Sequence, residues 1–217
     1  KNMKVMLYSN GIGPLERKGN IKKTKKILDK VDLITLRDER SYKTLHEIGI
    51  ENKNVKVTAD PALDLDIADE KLGKAILKNE GVPSDKKLLG VSVRKWQNLG
   101  SDFETQIANA CDYAYEKYGY YTVFLPMQSS RDTAIMQNIK RKMKHESAII
   151  KKRYSVEGML SIIKCFDMCI GMRLHTLIYA AINSVPLIGL VYDPKINSFM
   201  EYTHQRHYVD VNEVTDE

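Results

Sequence analysis

The sequence predicts an α/β protein built from two parallel-sheet units. Short apolar runs alternate with segments whose apolar residues recur at helical spacing, which is typical of parallel strands joined by helices. The pattern is clearest at 167–181, where an apolar run breaks at Gly171 and Leu174, Leu177 and Ile178 then share one helix face. A mostly charged stretch interrupts the alternation at 65–87 and divides the chain in two.

In the first part of the chain, strand-like runs alternate with helical segments. Gly11 and Pro14 stop the first run, Asp38 and Glu39 favour a helix start, and Gly49 ends that helix. The predicted elements are strands at 4–9, 32–36 and 55–59, a basic helix within 17–30, and a second helix that opens at 37–41.

The second part repeats this alternation over a longer distance. Ser101 and Glu104 form a capping pattern at the start of a helix, and Gly119 ends it. The predicted strands are at 88–93, 121–125, 148–150, 168–170 and 186–191, and the predicted helices at 69–79, 101–118, within 128–144, 155–165 and 174–181, with a loop at 192–195.

We therefore expect three segments. They are a partial N-terminal α/β unit at 1–64, a linker at 65–87 and a C-terminal α/β unit at 88–217. A sheet as small as the first buries little surface, so we expect the N-terminal unit to be incomplete, with strands that precede Lys1.

Composition argues against several classes of protein. Hydrophobic residues make up 43% of the 217 positions, yet no run approaches the roughly 20 apolar residues of a membrane span. The three cysteines, Cys111, Cys165 and Cys169, form no C-x-x-C pair, so neither a disulfide framework nor a metal site is expected. A cytoplasmic protein fits this cysteine usage best.

The chain is basic, with a net charge of +6. Much of the excess lies at 17–30, and a second basic run lies at 140–144. These residues are either solvated helix faces, or they attract an anionic substrate or the anionic lipids at the inner face of the cell membrane. No nucleic acid partner is expected, because no aromatic interleaving or helix-turn-helix pattern accompanies the lysines.

The turn that follows residues 168–170 combines features suited to an anion. Arg173 offers a fixed fork for a carboxylate or a phosphate, and His175 can move a proton near neutral pH. The start of the following helix presents unpaired N–H groups. The alternative is an arginine in a structural ion pair and a histidine that caps the helix.

Other polar residues also follow predicted strands. Because the carboxyl ends of parallel strands meet at one edge of a sheet, such residues line a shared, positively charged cleft. The alternative is local pairing, for instance Arg37 with Asp38 or Arg131 with Asp132. The residues concerned are Asn10, Gly11, Arg37, Arg94, Gln128, Arg131, Arg173, His175, Asp193 and Lys195.

Seven short motifs, in this order, resemble the polysaccharide pyruvyl transferase family. The most specific is GMRLHT at 171–176. The likeness covers almost the whole chain and is strongest to bacterial enzymes that pyruvylate a cell-wall polysaccharide. The other motifs are YSNGIGP at 8–14, TLRDERS at 35–41, ADPA at 59–62, GVSVR at 90–94, PMQ at 126–128 and YDPK at 192–195.

The resemblance implies two Rossmann-like units arranged as in GT-B glycosyltransferases. It implies transfer of a pyruvyl group from phosphoenolpyruvate to a sugar of a cell-wall or exopolysaccharide precursor, with a cyclic ketal and phosphate as products. The partners would be phosphoenolpyruvate and a lipid-linked or polymeric saccharide, without a cofactor. On this basis His175 is the catalytic residue, and Arg173, Leu174, Arg37 and Arg94 bind phosphoenolpyruvate, while the remaining strand-end residues line the cleft.

Two other functions stay open at this point. A GT-B glycosyltransferase or nucleotide-sugar enzyme would hold a diphosphate at the same helix start. An inactive binding module would keep the fold without the chemistry.

Overall fold

The computed structural model describes residues 3–66, 68–97, 99–100 and 102–214. The chain divides into two compact units, Lys1–Asp64 and Leu65–Glu217. Each has an entirely parallel sheet, as the alternating pattern predicts.

The first unit has a three-stranded sheet in the order β1-β2-β3. Ile34 and Leu36 of the central strand are fully buried against Leu45 of the second helix. That helix begins where the Asp38 carboxylate accepts the Ser41 N–H at 2.7 Å, which satisfies a first-turn donor. The elements are β1 (Met6–Asn10), α1 (Lys18–Leu28), β2 (Leu33–Leu36), α2 (Glu39–Glu47), β3 (Val55–Val57) and a 3-10 helix at Pro61–Asp64.

The second unit has a six-stranded sheet in the order β6-β5-β4-β7-β8-β9. Successive strands run outward from β4 to one side and from β7 to the other, which is the doubly wound arrangement. The elements are α3 (Glu70–Asn79), β4 (Lys87–Ser92), α4 (Phe103–Tyr118), β5 (Tyr120–Phe124), α5 (Ser129–Lys142), β6 (Ser147–Ile149), α6 (Val156–Lys164), β7 (Met168–Gly171), α7 (Leu174–Ile182), β8 (Leu187–Val191), α8 (Pro194–Tyr202) and β9 (Tyr208–Asp210).

The core of the second unit holds its strand ends in place. Val91 of β4 and Phe124 of β5 are fully buried together with Ile107 of α4 and Met136 of α5. Burying a side chain of this size stabilises the fold by about 1.5–3 kcal/mol. The residues that follow β4 and β5 therefore extend from well-packed strands.

Residues 65–87, predicted as a linker, are grouped with the second unit. Helix α3 packs against α6, and its Ile76 and Leu77 are buried. The two helices approach so closely that a Cβ atom at Gly73 would overlap the backbone oxygen of Ser161. The charge that suggested a linker lies on the other side of this helix, where Lys71, Lys74 and Lys78 are exposed.

The sequence interpretation left out two elements at the end of the second unit, α8 and β9. Asp193 caps α8 by accepting the Lys195 N–H at 3.0 Å, and Pro194 takes the first helical position, where its missing N–H costs nothing. β9 then adds the last strand beside β8. Elsewhere the predicted elements lie within a few residues of those observed; Ser101, predicted to cap α4, is outside the described residues.

None of the helices in the described parts of the chain is long and apolar enough to cross a bilayer.

Candidate active site

The order of the second sheet places a topological reversal between β4 and β7. Ser92 and Gly171 are paired at the carboxyl ends of these strands. Arg94 and Arg173 each lie two residues after this pair, beyond the ends of neighbouring strands. Doubly wound proteins bind ligands outside the carboxyl ends of the strands at such a reversal. We call the residues that follow β4, β5, β7 and β8 the carboxyl edge.

Arg94 is held at the carboxyl edge by aromatic side chains. Its guanidinium carbon lies 5.3 Å from the ring centroid of Trp96 and 5.1 Å from that of Tyr192, and its Nη1 donates to the Tyr192 hydroxyl at 3.0 Å. Within the described residues no carboxylate lies within ion-pair distance of Arg94, and its buried Nε has no hydrogen-bond partner. This arginine keeps its charge available for an anion.

Arg173, by contrast, is paired with a buried carboxylate. Its Nε donates to Asp132 Oδ2 at 3.2 Å, its Nη2 contacts Asp132 Oδ1, and the Asp132 side chain is 0% exposed. Nη2 also donates to the Gln128 side-chain oxygen at 3.3 Å. The structural ion pair considered as the alternative for Arg173 is therefore present. Asp132 pairs with Arg173 and not, within the described residues, with Arg131 as the local alternative had it.

The start of α7 lies beside these arginines and has no side-chain cap. The first turn contains no acidic residue among its described positions, whereas α2 and α8 are capped by Asp38 and Asp193. His175, the second residue of α7, is exposed. Leu174 is buried at 7% exposure, so only its backbone can meet a ligand at this helix start, which favours anions.

Asp193 and Lys195, which follow β8, form an ion pair with each other. The Asp193 carboxylate caps α8 and lies 3.4 Å from the Lys195 ammonium. The same ammonium lies 5.5 Å from the centroid of the Tyr192 ring. Lys195 is thus paired with a carboxylate and lies over the same ring that Arg94 contacts.

The predicted residues of the first unit lie together at the ends of β1 and β2. Arg37 pairs with Asp38 at 3.4 Å and with Asp60 at 3.3 Å, so the local pairing with Asp38 that we considered is confirmed. The guanidinium also lies so close to Gly11 that a Cβ atom there would be 2.6 Å from Nη2. Asn10 is exposed and accepts the Arg37 N–H through its backbone oxygen at 3.2 Å.

The sequence interpretation missed the residues that decide which arginine is free. Arg94, Gln128, Arg173, His175, Asp193 and Lys195 do share the carboxyl edge, and Arg131 is exposed on the first turn of α5. Trp96 and Tyr192 were not singled out, although Tyr192 stands in the YDPK motif. Asp132 was considered only as a local partner of Arg131, and in the structure it pairs with Arg173.

Neither thiol nor metal chemistry is suggested by the described residues. Burial raises the pKa of the Cys169 thiol in β7 to about 12, so this side chain is a neutral part of the core. In the described parts of the chain, no three His, Cys, Asp or Glu side chains are grouped closely enough to hold a metal ion.

Comparison with known proteins gives a family and a fold. The family model of polysaccharide pyruvyl transferases matches residues 1–194. No curated protein sequence matches the chain.

Several solved structures share the fold at low identity. MnaA of S. aureus, determined with UDP, matches with a TM-score of 0.63 and 14% identity over 86% of this chain and 49% of its own. The UDP-GlcNAc 2-epimerase of Methanocaldococcus jannaschii, determined with UDP-GlcNAc and UDP, matches with a TM-score of 0.61 and 15% identity over 84% of this chain and 51% of its own. HepE of Anabaena, determined with UDP and glucose, matches with a TM-score of 0.58 and 11% identity over 84% of this chain and 51% of its own.

These matches show a GT-B-like α/β fold. The chain spans about half the length of each of the three structures.

Proposed function

The chain belongs to the polysaccharide pyruvyl transferase family, and from this premise we propose that it transfers the pyruvyl group of phosphoenolpyruvate to two hydroxyls of one sugar. The acceptor is a lipid-linked or polymeric saccharide of a cell-wall or exopolysaccharide pathway. Beyond the family, the proposal rests on one observation: an arginine without a carboxylate partner among the described residues and an exposed histidine lie on the same sheet edge. Arg94 supplies the first and His175 the second.

The reaction needs three proton movements. A proton added to the methylene carbon of phosphoenolpyruvate makes C2 electrophilic, and a first sugar hydroxyl then forms a C–O bond to C2 and loses its proton. A second hydroxyl of the same sugar forms another C–O bond as the C2–O bond to phosphate breaks. One hydroxyl proton makes up for the proton that was added to the methylene carbon, and the other leaves with the phosphate as hydrogen phosphate. The product is a cyclic ketal with a free carboxylate.

Arg94 binds an anionic group of the donor. A guanidinium forms two parallel hydrogen bonds to a carboxylate or a phosphate, and within the described residues no protein carboxylate competes for Arg94. The uncapped start of α7 supports a second anionic group with its N–H groups and positive dipole end. The donor has one carboxylate and one phosphate, which these two features match.

His175 is the general acid in this proposal. It is exposed at the second position of α7, next to the anion site, and imidazole exchanges protons near neutral pH. The hydrogen bonds of Arg173 to Asp132 and Gln128 fix the conformation of the carboxyl edge. Its Nη1 atom is left to bind the donor. Arg37 of the first unit, held between Asp38 and Asp60, is a further substrate-binding residue in this proposal.

We place the reaction in the cytosol, without a cofactor. The three cysteines are free, which fits a reducing compartment. The exposed lysines of α1 favour contact with anionic lipids at the inner face of the membrane, where a lipid-linked acceptor would lie.

One observation favours a second candidate, a nucleotide-sugar enzyme. The three structures described above were determined with UDP, UDP-GlcNAc or both, and the carboxyl edge of the same fold is present here. A diphosphate would use Arg94 and the start of α7 in the same way.

Donor identity separates the two candidates. The purified full-length protein is incubated with phosphoenolpyruvate labelled in its carbon skeleton, or with labelled UDP-GlcNAc, and a panel of hexosides and N-acetylhexosaminides that offer neighbouring hydroxyl pairs. We expect the carbon label to move to the sugar with release of phosphate. In D₂O, the product methyl group should carry one deuterium.

Transfer from UDP-GlcNAc alone would replace the proposal with the second candidate. Transfer from neither donor would favour a binding module that lacks the chemistry.

A further inference from the structure

Tyr192 lies at the centre of a side-chain stack on the carboxyl edge. Its ring is 4.8 Å from the ring of Trp96, centroid to centroid, in an edge-on arrangement. Arg94 and Lys195 each place a cation over the Tyr192 ring, at 5.1 Å and 5.5 Å from its centroid. The ring is therefore fixed by three neighbours that come from the ends of two strands.

The direction of the hydrogen bond to Arg94 determines what the Tyr192 hydroxyl can do. A guanidinium has donors and no acceptor, so in the 3.0 Å contact the Tyr192 oxygen accepts and Arg94 Nη1 donates. The hydroxyl proton is thus not used in this bond. Within the described residues, no acceptor is recorded for it.

The surroundings of this proton are positive. Arg94 and Lys195 both lie over the ring; Lys195 is paired with Asp193, whereas Arg94 has no carboxylate partner among the described residues. Arg94 Nε is buried and has no hydrogen-bond partner in the part of the chain that the structure describes. A donor proton beside an unneutralised guanidinium suits an anionic oxygen, because both groups point hydrogen at the same kind of acceptor.

We propose that Tyr192 is a substrate-binding residue, whose hydroxyl donates a hydrogen bond to the anionic group of the donor that Arg94 binds. This inference rests on the proposed function for the identity of the donor, but its chemistry requires only a carboxylate or phosphate oxygen. Trp96 is a positioning residue that holds the Arg94–Tyr192 pair through its ring and does not itself contact the anion.

The test removes the hydroxyl and keeps the ring. Tyr192→Phe keeps the ring contacts with Trp96, Arg94 and Lys195 but also removes the hydrogen bond from Arg94 Nη1. Tyr202→Phe, at an exposed tyrosine of α8, is the matched control. Binding of phosphoenolpyruvate to the purified full-length protein is measured by calorimetry without acceptor. We expect Tyr192→Phe to weaken binding about 10-fold or more, the usual effect of losing a hydrogen bond to a charged group, and Tyr202→Phe to leave it unchanged.

A double-mutant cycle with Arg94→Lys, read together with thermal unfolding, tests how the two residues act. Because Arg94 and Tyr192 also contact each other, coupled losses of affinity are expected, and an unchanged melting temperature of Tyr192→Phe beside its lower affinity supports direct binding. A purely structural role would instead lower the melting temperature of Tyr192→Phe together with its affinity. A folded Tyr192→Phe protein with parental affinity overturns the inference.

The same measurements with UDP keep this inference distinct from the proposed function. Failure of the parent to bind phosphoenolpyruvate, together with binding of UDP that depends on the Tyr192 hydroxyl, overturns the donor assignment and upholds the role of Tyr192. A parent protein that binds neither ligand overturns both.

Discussion

Arg173 and Asp132 form a two-point ion pair that joins the end of β7 to the first turn of α5. Arg173 Nε lies 3.2 Å from Asp132 Oδ2, and the carboxylate is completely buried. Asp132 also accepts the Gln128 N–H at 2.9 Å. Arg173, predicted to bind the donor, is thus paired with a carboxylate of the protein, whereas Arg94, also predicted to bind the donor, has no carboxylate partner within the described residues.

Removing Asp132 should destabilise the second unit. Asp132→Ala leaves the Arg173 guanidinium, 17% exposed, without its counter-charge, which typically costs about 3–5 kcal/mol. Arg131→Ala, one residue away and exposed, is the control and should change stability by no more than about 0.5 kcal/mol. Urea unfolding measures both, and equal stabilities for the two variants would show that the ion pair does not support the fold.

Gly11 should be required for the position of Arg37. A Cβ atom at Gly11 would lie 2.6 Å from Nη2 and 2.7 Å from Nε of a guanidinium that Asp38 and Asp60 hold from other sides. We therefore expect Gly11→Ala to displace Arg37 and to lower pyruvyl transfer at least 10-fold, with a modest loss of stability.

Gly19→Ala is the matched control for this variant. A Cβ atom at Gly19 has open space on α1, and alanine should stabilise the helix by about 0.5–1 kcal/mol. Parental activity of a folded Gly11→Ala protein would show that the position of Arg37 is unimportant for transfer.

The close contact between α3 and α6 gives a prediction about the boundary of the units. Gly73→Ala places a methyl group on the Ser161 backbone oxygen, which cannot move as the end of a flexible side chain can. Overpacking of this kind usually costs about 1–3 kcal/mol. The control is Gly100→Ala, where a Cβ atom has open space. Thermal unfolding of both variants is measured, and we expect a lower melting temperature only for Gly73→Ala.

The lysines of α1 should matter for lipid and not for folding. Lys22, Lys23 and Lys26 are exposed, so changing all three to glutamine should move the melting temperature by only a few degrees. Binding to vesicles that contain anionic lipid should fall, because each basic group near such a surface contributes about 1 kcal/mol.

The control for this prediction removes the same charge from another surface. Lys71, Lys78 and Lys151 are also exposed, and their replacement by glutamine should leave vesicle binding largely intact. Equal loss in both variants would mean that net charge, rather than the surface of α1, attracts the protein to lipid.

The sequence predicts most of the fold because periodic burial is a local property. The apolar run at 168–170 and the helical spacing of Leu174 and Leu177 locate β7 and α7, and both are observed. Helix α8 was missed because its start, Asp193-Pro194, was taken for a loop, although an acidic cap before a proline is also a helix start.

The sequence does not predict the side-chain partners of the site residues, because these partners are distant along the chain. Asp132 precedes Arg173 by 41 positions, and Arg94 precedes Tyr192 by 98. Strand-end placement brought Arg94 and Arg173 to one edge in the prediction, but which carboxylate neutralises which arginine depends on side-chain geometry. Only local pairs, such as Arg37 with Asp38, could be proposed from the chain itself.

The central claim, proton donation by His175, is tested most directly by single-turnover transfer with a His175→Gln protein at saturating phosphoenolpyruvate. Glutamine keeps a polar side chain at the second position of α7, so circular dichroism and thermal unfolding should match the parent. We expect transfer to slow by about 10²–10⁴-fold, the usual effect of losing a general acid, with donor affinity little changed because Arg94 holds the anion. A folded His175→Gln protein that transfers the pyruvyl group within a few-fold of the parental rate would contradict the account.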